Sequence, residues 1–551
     1  MEVNPTAVEG VASVPRALRL PDPALGTARR RRPLGVGLLA FTLMAGVLYA
    51  ANASALARPL YERSDQGANS ILIEQARRFT LLVGIYSRTH VNHPGPAYLY
   101  PRAWTEQLFW AATRWVPTAF NGQLIAVYAL NAVFAALVVV IVYGWSPRVG
   151  TILAGLAVVF LFGWLHPPAF SSDWLSYSYV PTYLAFLVAV ASVAAGRLQD
   201  TWIMVVTGWF LLEGHACFLL FVPALSLTAV AGLAWPRRRR LGAAWRSLIA
   251  RHRATWSSAL VISAVFALPM IVNLIGHWPG QWGKYLALSG RHGGGQAPTL
   301  GQVWSFTVWF WRPLRHTPVP GPYSWLIPLA AYLVAAGATA SLSRGPVRRF
   351  LAWLLAVNSL SWLLVLVFAD RGIDQVGAAT YYICFFYWSA PAIMLLVAAL
   401  AVAEALPAAV SIPAAGAVAV AAIVAFGLAP DTRTLNVDKT AFDPALPRAV
   451  SVLAARSAGR PIVIRLQHGA WPELVGFLVQ AERSNVSACV ADTSWTFMVS
   501  SQFICTPRQV AEGSAVTFLP ATLAPAGTPV LARMSAIIAT GRPGLVTGPT
   551  G

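Results

Sequence analysis

YERSDQGANSILIEQARRFTLLVGIYSRTHVNHPGPAYLYPRAW, residues 61–104, is a polar stretch between one long apolar run and a continuation that is almost wholly hydrophobic. It holds Glu62, Asp65, Glu74, Arg77, Arg78, Arg88, His90 and His93. Ionisable groups at the mouth of a membrane protein are costly to keep beside lipid, so a collection of them marks a working site. The remainder of the chain reads as a scaffold for this stretch.

Composition fixes the class. Hydrophobic residues make up 57% of the chain and charged residues 11%, with 22 Trp, which excludes a soluble enzyme and fits a polytopic membrane protein with interfacial aromatic belts. The formal net charge of +20 suggests nucleic acid until the charges are located. Most of the arginine sits in short clusters between apolar runs: Arg29 to Arg32, Arg237 to Arg240, and Arg344 with Arg348 and Arg349. Clusters so placed mark cytoplasmic turns and set orientation, so a nucleic-acid partner is excluded.

A spanning helix needs about 20 apolar residues. Segments near 33–55, 121–144, 149–165, 177–196, 201–213, 216–235, 255–275, 323–341, 350–368, 381–403 and 408–428 are the candidates, giving about 11 transmembrane helices. Residues 1–32 read as a disordered cytoplasmic tail and the run after Arg32 as an anchor, since it is too long for the apolar part of a cleavable signal. With Arg29 to Arg32 inside, the arginine clusters all fall on the cytoplasmic side. The transmembrane domain is then 33–430, with extracytoplasmic loops 56–120 and 276–322, in a multi-pass protein of the cell membrane.

From 431 to 551 the composition becomes that of a small extracytoplasmic α/β domain. PIVIRLQ (461–467) reads as a buried strand, AWPELVGFLVQAERS (470–484) as an amphipathic helix and VSACVAD (486–492) as a second strand, a βαβ-like arrangement. Cys489 and Cys505 lie here, where an oxidising compartment permits a disulfide. Cys217 and Cys384 fall in apolar segments and read as packing residues.

Two pieces of the first loop carry chemistry. Asp65 follows the first helix and can serve as a general base or hold a divalent cation; equally, it can cap the helix that follows. In NHPGPAYLYP (92–101), two prolines around Gly95 force a rigid turn that presents His93, Tyr98 and Tyr100 together. Asp173 is a further outward carboxylate, a second acid, a metal contact or a helix cap. If a divalent metal (Mg or Mn) takes part, Asp65 and Asp173 are its candidate ligands. No metal-ligand spacing, phosphate loop or nucleotide fingerprint occurs.

Asp65-Gln66, then Gly84-Ile85-Tyr86-Ser87-Arg88, then Asn92-His93-Pro94-Gly95-Pro96 together resemble the integral-membrane glycosyltransferases of the GT-C fold. The likeness is to the bacterial protein-mannosyltransferase and aminoarabinose-transferase type and its actinobacterial relatives that build envelope glycans. Glu213-Gly214-His215 resembles their Gln-x-His segment, with Glu for Gln, and LPMIVNLIGHWPGQWGKYL (268–286) another of their segments, with Asn273 and Trp278 departing from it.

The resemblance implies a transferase moving a sugar from a polyprenyl-phosphate donor to an extracytoplasmic glycan, lipid or protein acceptor, with Asp65 as catalytic carboxylate. Gln66, His93, Asp173, Glu213 and His215 would line the substrate site. The leaving phosphate needs cations, and Arg88, His90, Lys284, Arg291 and His292 lie in the two expected outer loops. The same cations also suit contact with anionic membrane lipids. Trp278, Trp282, Tyr285, Trp304 and Trp309 can stack on sugars or form an interfacial belt. The competing classes are a transporter or flippase of a lipid-linked or small polar substrate, and a non-catalytic envelope assembly protein.

Overall fold

The computed structural model describes residues 28–87, 90–235, 249–289, 298–311, 325–371, 378–432, 444–535 and 537–541. Each expected apolar segment is a helix: α1 (Ala28–Leu56), α4 (Ala119–Trp145), α5 (Val149–Leu165), α7 (Leu175–Ala194), α8 (Thr201–Gly214), α9 (Phe218–Ala234), Arg253–Gly276, Leu326–Leu342, Gly345–Arg371, Ser389–Ala405 and Ala408–Leu428. Their lengths differ from a uniform set of spans. Among the described residues, seven helices are long and apolar enough to cross a bilayer, while Val149–Leu165, Phe218–Ala234 and Leu326–Leu342 are shorter. The chain is a polytopic α-helical membrane protein with a small C-terminal α/β unit.

Burial sorts the helices by depth. The spanning window of α7 is 100% buried and that of Arg253–Gly276 is 0% buried, although both are apolar all round. An all-apolar helix must lie within a core or against lipid, and these two take the two solutions. Around α7 pack α4, α8, α9 and Gly345–Arg371. Leu260, Val265, Leu268 and Ile275 of the peripheral helix stay exposed on a surface suited to lipid.

The stretch expected as outer loop 56–120 is in good part helical. It contains α2 (Ser64–Arg77), α3 (Leu99–Thr105) and a π-helical turn, Glu106–Ala112. In α2, Ala68 and Ile71 join the core of the C-terminal unit, while Leu72, Ile73 and Ala76 pack with Leu99 and Ala103 of α3. One helix thus belongs to two cores. Its approach to the C-terminal helix Trp471–Arg483 relies on glycine: a Cβ at Gly67 would lie 2.8 Å from Val475 Cγ2, and one at Gly476 would strike the carbonyl of Glu62. The expected loop 276–322 likewise contains helices Gly280–Ser289 and Leu300–Trp309.

The C-terminal unit is built on a five-stranded sheet of order β2-β1-β3-β5-β4, with β1 (Ile462–Leu466), β2 (Ala488–Val490), β3 (Ser514–Pro520), β4 (Val530–Met534) and β5 (Ile537–Thr540). β1 runs parallel to both β2 and β3, and Trp471–Arg483 is the crossover between β1 and β2. Such a parallel connection requires a helix of this kind. Cys489 and Cys505 are disulfide-bonded, whereas Cys217 and Cys384 are free and buried.

Candidate functional site

α2 begins at Ser64, flanked by Arg63 without any side-chain cap, so Asp65 lies inside the first turn and does not cap the helix. Its Oδ1 accepts a hydrogen bond from the Tyr86 hydroxyl. The positive end of the helix favours a carboxylate at this position. Tyr86 stands on a short antiparallel ribbon, bridged to Asn92, in which Gly84 N–H donates to His93 O at 2.9 Å and His93 N–H to Ile85 O at 2.8 Å. Asp65, the ribbon and His93 therefore form one connected assembly.

Next to it lies Asp173, 2% exposed, in the link between the short helix α6 (Pro168–Ser171) and α7. α7 starts at Leu175 with no side-chain cap, so Asp173 does not cap that helix. The Gln66 side chain beside its carboxylate favours the ionised form, and Arg102 donates from Nη2 to its backbone carbonyl at 2.9 Å. Oδ1 of Asp173 has no hydrogen-bond partner within the protein. Burial raises the pKa of this carboxyl, Arg102 opposes the rise, and the nearby charge of Asp65 adds to it.

Glu213 closes the floor from the end of α8. Its Oε2 accepts from Ala97 N–H at 2.8 Å, its carbonyl from Gly95 N–H at 3.1 Å, and Oε1 is buried without a partner. The Pro94-Gly95-Pro96 turn can pass this close because Gly95 lacks a side chain; a Cβ there would lie 2.5 Å from Glu213 Cγ and 2.6 Å from its Oε2. His93 and His215 face each other with ring centroids 4.1 Å apart. His93 Nδ1 accepts from Ala216 N–H at 3.3 Å and His215 Nδ1 from Cys217 N–H at 3.2 Å. Both rings accordingly carry their proton on Nε2 when neutral. Burial lowers both, His93 further through its neighbour His215, and His215 to about 4.

A cavity of about 440 Å³ borders the ribbon at Tyr86 and Asn92 and is lined also by His90, Lys284, Phe497 and Ser500. Lys284 is brought there by helix Gly280–Ser289, which is tied to the ribbon twice: Asn92 N–H donates to Gln281 Oε1 at 3.1 Å, and the Tyr285 hydroxyl donates to Asn92 O. The His90 ring lies 4.4 Å from that of Phe497. Asp65 stands one hydrogen bond behind the cavity wall at Tyr86.

Sequence-expected residues divide accordingly. Asp65 and Tyr86 meet; Gln66 and Asp173 meet; His93, Glu213 and His215 share the floor; His90 and Lys284 share the cavity. Arg88, Arg291 and His292 lie outside the described residues. Trp278, Trp282 and Trp304 are exposed, Trp282 with Tyr285 and Trp304 with Trp362 as ring neighbours, whereas Trp309 stacks on Tyr381. Among the described residues no three His, Cys, Asp or Glu side chains gather as a metal site requires.

Sequence reading gave no role to Arg102 or to a second cluster beneath α2. There Arg483 donates to Glu74 Oε1 at 2.9 Å, to Glu62, and lies 3.4 Å from Glu106 Oε2. Arg77 joins Glu74 at 2.9 Å and Glu106 at 3.1 Å. Burial works against the charge of Arg483, but Glu62, Glu106 and Glu74 more than offset it and raise its pKa. Glu106 is pushed up to about 7 by burial, against the pull of Arg483, Gln123 and Arg77, with Glu74 adding to the rise. Glu62, Glu74 and Arg77 stand in the polar stretch, but their partner Arg483 is too distant in sequence to be found by spacing.

No protein-family model and no curated protein matches the chain. Among solved structures it is similar to the crystal structure of ArnT from Cupriavidus metallidurans in the apo state, at 14% identity and a TM-score of 0.44, covering 93% of this chain and 98% of that one.

Proposed function

We propose that the protein is a membrane glycosyltransferase that moves a sugar from a polyprenyl-phosphate-linked donor to a hydroxyl of a cell-envelope glycan, lipid or protein outside the cytoplasm. The observation that carries this reading is Asp65: an acid freed from helix capping and bonded to Tyr86, which itself lines a cavity together with Lys284 and His90. The motifs around Asp65, Tyr86 and His93 resemble the GT-C transferases in the same places.

In the proposed reaction the acceptor oxygen attacks the anomeric carbon while the bond from that carbon to the donor phosphate breaks. The electron pair leaves with the lipid phosphate and the hydroxyl proton passes to Asp65. Tyr86 occupies Oδ1, leaving Oδ2 for the acceptor. One carboxylate suffices for inversion by a single displacement, in contrast to the pair that a glycosidase needs. Lys284 and His90 stabilise the departing phosphate.

The Cys489–Cys505 bond supports an extracytoplasmic C-terminal domain, and with it a cytoplasmic N-terminus. A transporter would carry ionisable groups near the bilayer midplane. Helices α4, α5, α7 and α9 contain no Asp, Glu, Lys or Arg, which supports chemistry at the surface. The test is glycosyl-linkage analysis of envelope glycans from a strain lacking the protein. Loss of one defined linkage is expected, and an unchanged linkage profile would refute the proposal.

A further inference from the structure

Half of the residues that line the cavity come from a single loop of the C-terminal unit, residues 491–504. The Cys489–Cys505 disulfide closes its base, where Cys505 N–H also donates to Val490 O at 3.0 Å. Its inner side is anchored, with Trp495, Met498, Val499 and Phe503 buried in the sheet core. Its outer side presents Thr493, Ser494, Thr496, Ser500 and Ser501 to the cavity, around the half-buried ring of Phe497. A rigid loop thus offers several small hydroxyls and one aromatic face.

That chemistry is selective. Hydroxyls both donate and accept, as the hydroxyls of a sugar do, and an aromatic ring takes the apolar C–H face of a pyranose or furanose. The nearby acid, Asp492, is turned to its own backbone, accepting from Ser494 N–H at 2.9 Å. The loop itself carries no cation, so the cationic side of the cavity is Lys284 and His90 and the loop suits a neutral polar group, while a lipid tail would leave its hydroxyls unpaired. A cavity of about 440 Å³ is within the range of small-ligand sites and accommodates about one or two sugar units.

We infer that the disulfide-closed loop 489–505 is the acceptor-recognition wall, which holds a neutral glycan unit against Phe497, on the cavity side of the Tyr86–Asp65 hydrogen bond. This rests on the glycosyltransferase reading. The loop also contacts the catalytic helix directly, since Gln75 of α2 donates to Ser500 Oγ at 3.1 Å. The acceptor wall and the proposed base are therefore held in one frame.

The experiment uses the full-length protein in detergent and, as probe, neutral oligosaccharides released by mild acid from the envelope of the host. Binding is read by saturation-transfer NMR. Wild type and Asp65→Asn are expected to bind alike, Phe497→Tyr to bind nearly as well, and Phe497→Ala to lose about tenfold in affinity. Should Phe497→Ala fail to purify as a single species, Thr493→Val carries the test, with a smaller loss expected. Unchanged binding by these variants, or no saturation transfer to wild type, overturns the inference. If Asp65→Asn retains transferase activity while Phe497→Ala loses binding, the catalytic assignment falls and the recognition wall stands. If Asp65→Asn is inactive while Phe497→Ala binds normally, the wall falls alone.

Discussion

Arg483 of the C-terminal unit donates from Nε to Glu74 of α2 at 2.9 Å, reaching the helix that carries Asp65. Its side chain is only 9% exposed and is shared among Glu62, Glu74 and Glu106. Removing one member of a buried ionic group leaves the others unneutralised and costs about 3–5 kcal/mol. Arg483→Leu is therefore expected to lower thermal stability in detergent by that order. Arg483→Lys is expected to rescue little, because one ammonium cannot reproduce the guanidinium fork. A wild-type melting curve for Arg483→Leu would show that the cluster does not join the two parts.

The same cluster has a pH signature. Glu106 has a folded pKa of about 7 against an ordinary 4.5. Below the lower value both folded and unfolded states hold its proton, and burial of the acid carries no ionic penalty. Between the two values only the folded state holds it, so stability falls as pH rises, and the loss is complete above about 7. Melting temperature from pH 4.5 to 7.5 should show this decline, and Glu106→Gln should flatten it. An identical slope in the variant would assign the dependence elsewhere.

Gly95 tests the floor of the site. A methyl group there meets the Glu213 side chain at 2.5–2.6 Å. Overpacking of this kind typically costs about 1–3 kcal/mol, and relief requires moving either Glu213 or the ribbon that orients Tyr86. Gly95→Ala should lose transferase activity more than it loses stability, measured as linkage formation against melting temperature. Full activity would mean that the turn is not held against Glu213.

Much of this architecture was legible in the chain. The apolar runs around 121–144, 149–165 and 408–428 coincide with helices because a bilayer leaves the backbone few alternatives. The βαβ reading of 461–492 followed from two β-branched runs around an amphipathic helix. The polar stretch 61–104 is less legible: its composition suggests a loop, yet α2 and α3 account for much of it, since Ala68 and Ile71 are buried by a domain several hundred residues away in sequence. Asp65 was visible as a candidate, but its freedom from capping and its bond to Tyr86 depend on tertiary geometry. Arg483 and Phe497 carried no local signal at all.

The loop disulfide provides a further prediction. Closing a loop of this length contributes about 3 kcal/mol in the chain-entropy model. Cys489→Ser with Cys505→Ser should destabilise the C-terminal unit, read as faster proteolysis within 491–504 of the membrane-embedded protein. Unchanged proteolysis would show that the buried Trp495 and Phe503 alone hold the loop.

The most direct test of the proposed chemistry replaces the Asp65 carboxylate by its isosteric amide. Asn cannot accept the acceptor proton, whereas it still accepts a hydrogen bond from Tyr86. In a strain lacking the protein, wild type should restore the missing envelope linkage, and Asp65→Asn, expressed and folded equally, should not. Full restoration by Asp65→Asn would contradict the assignment of Asp65 as the base.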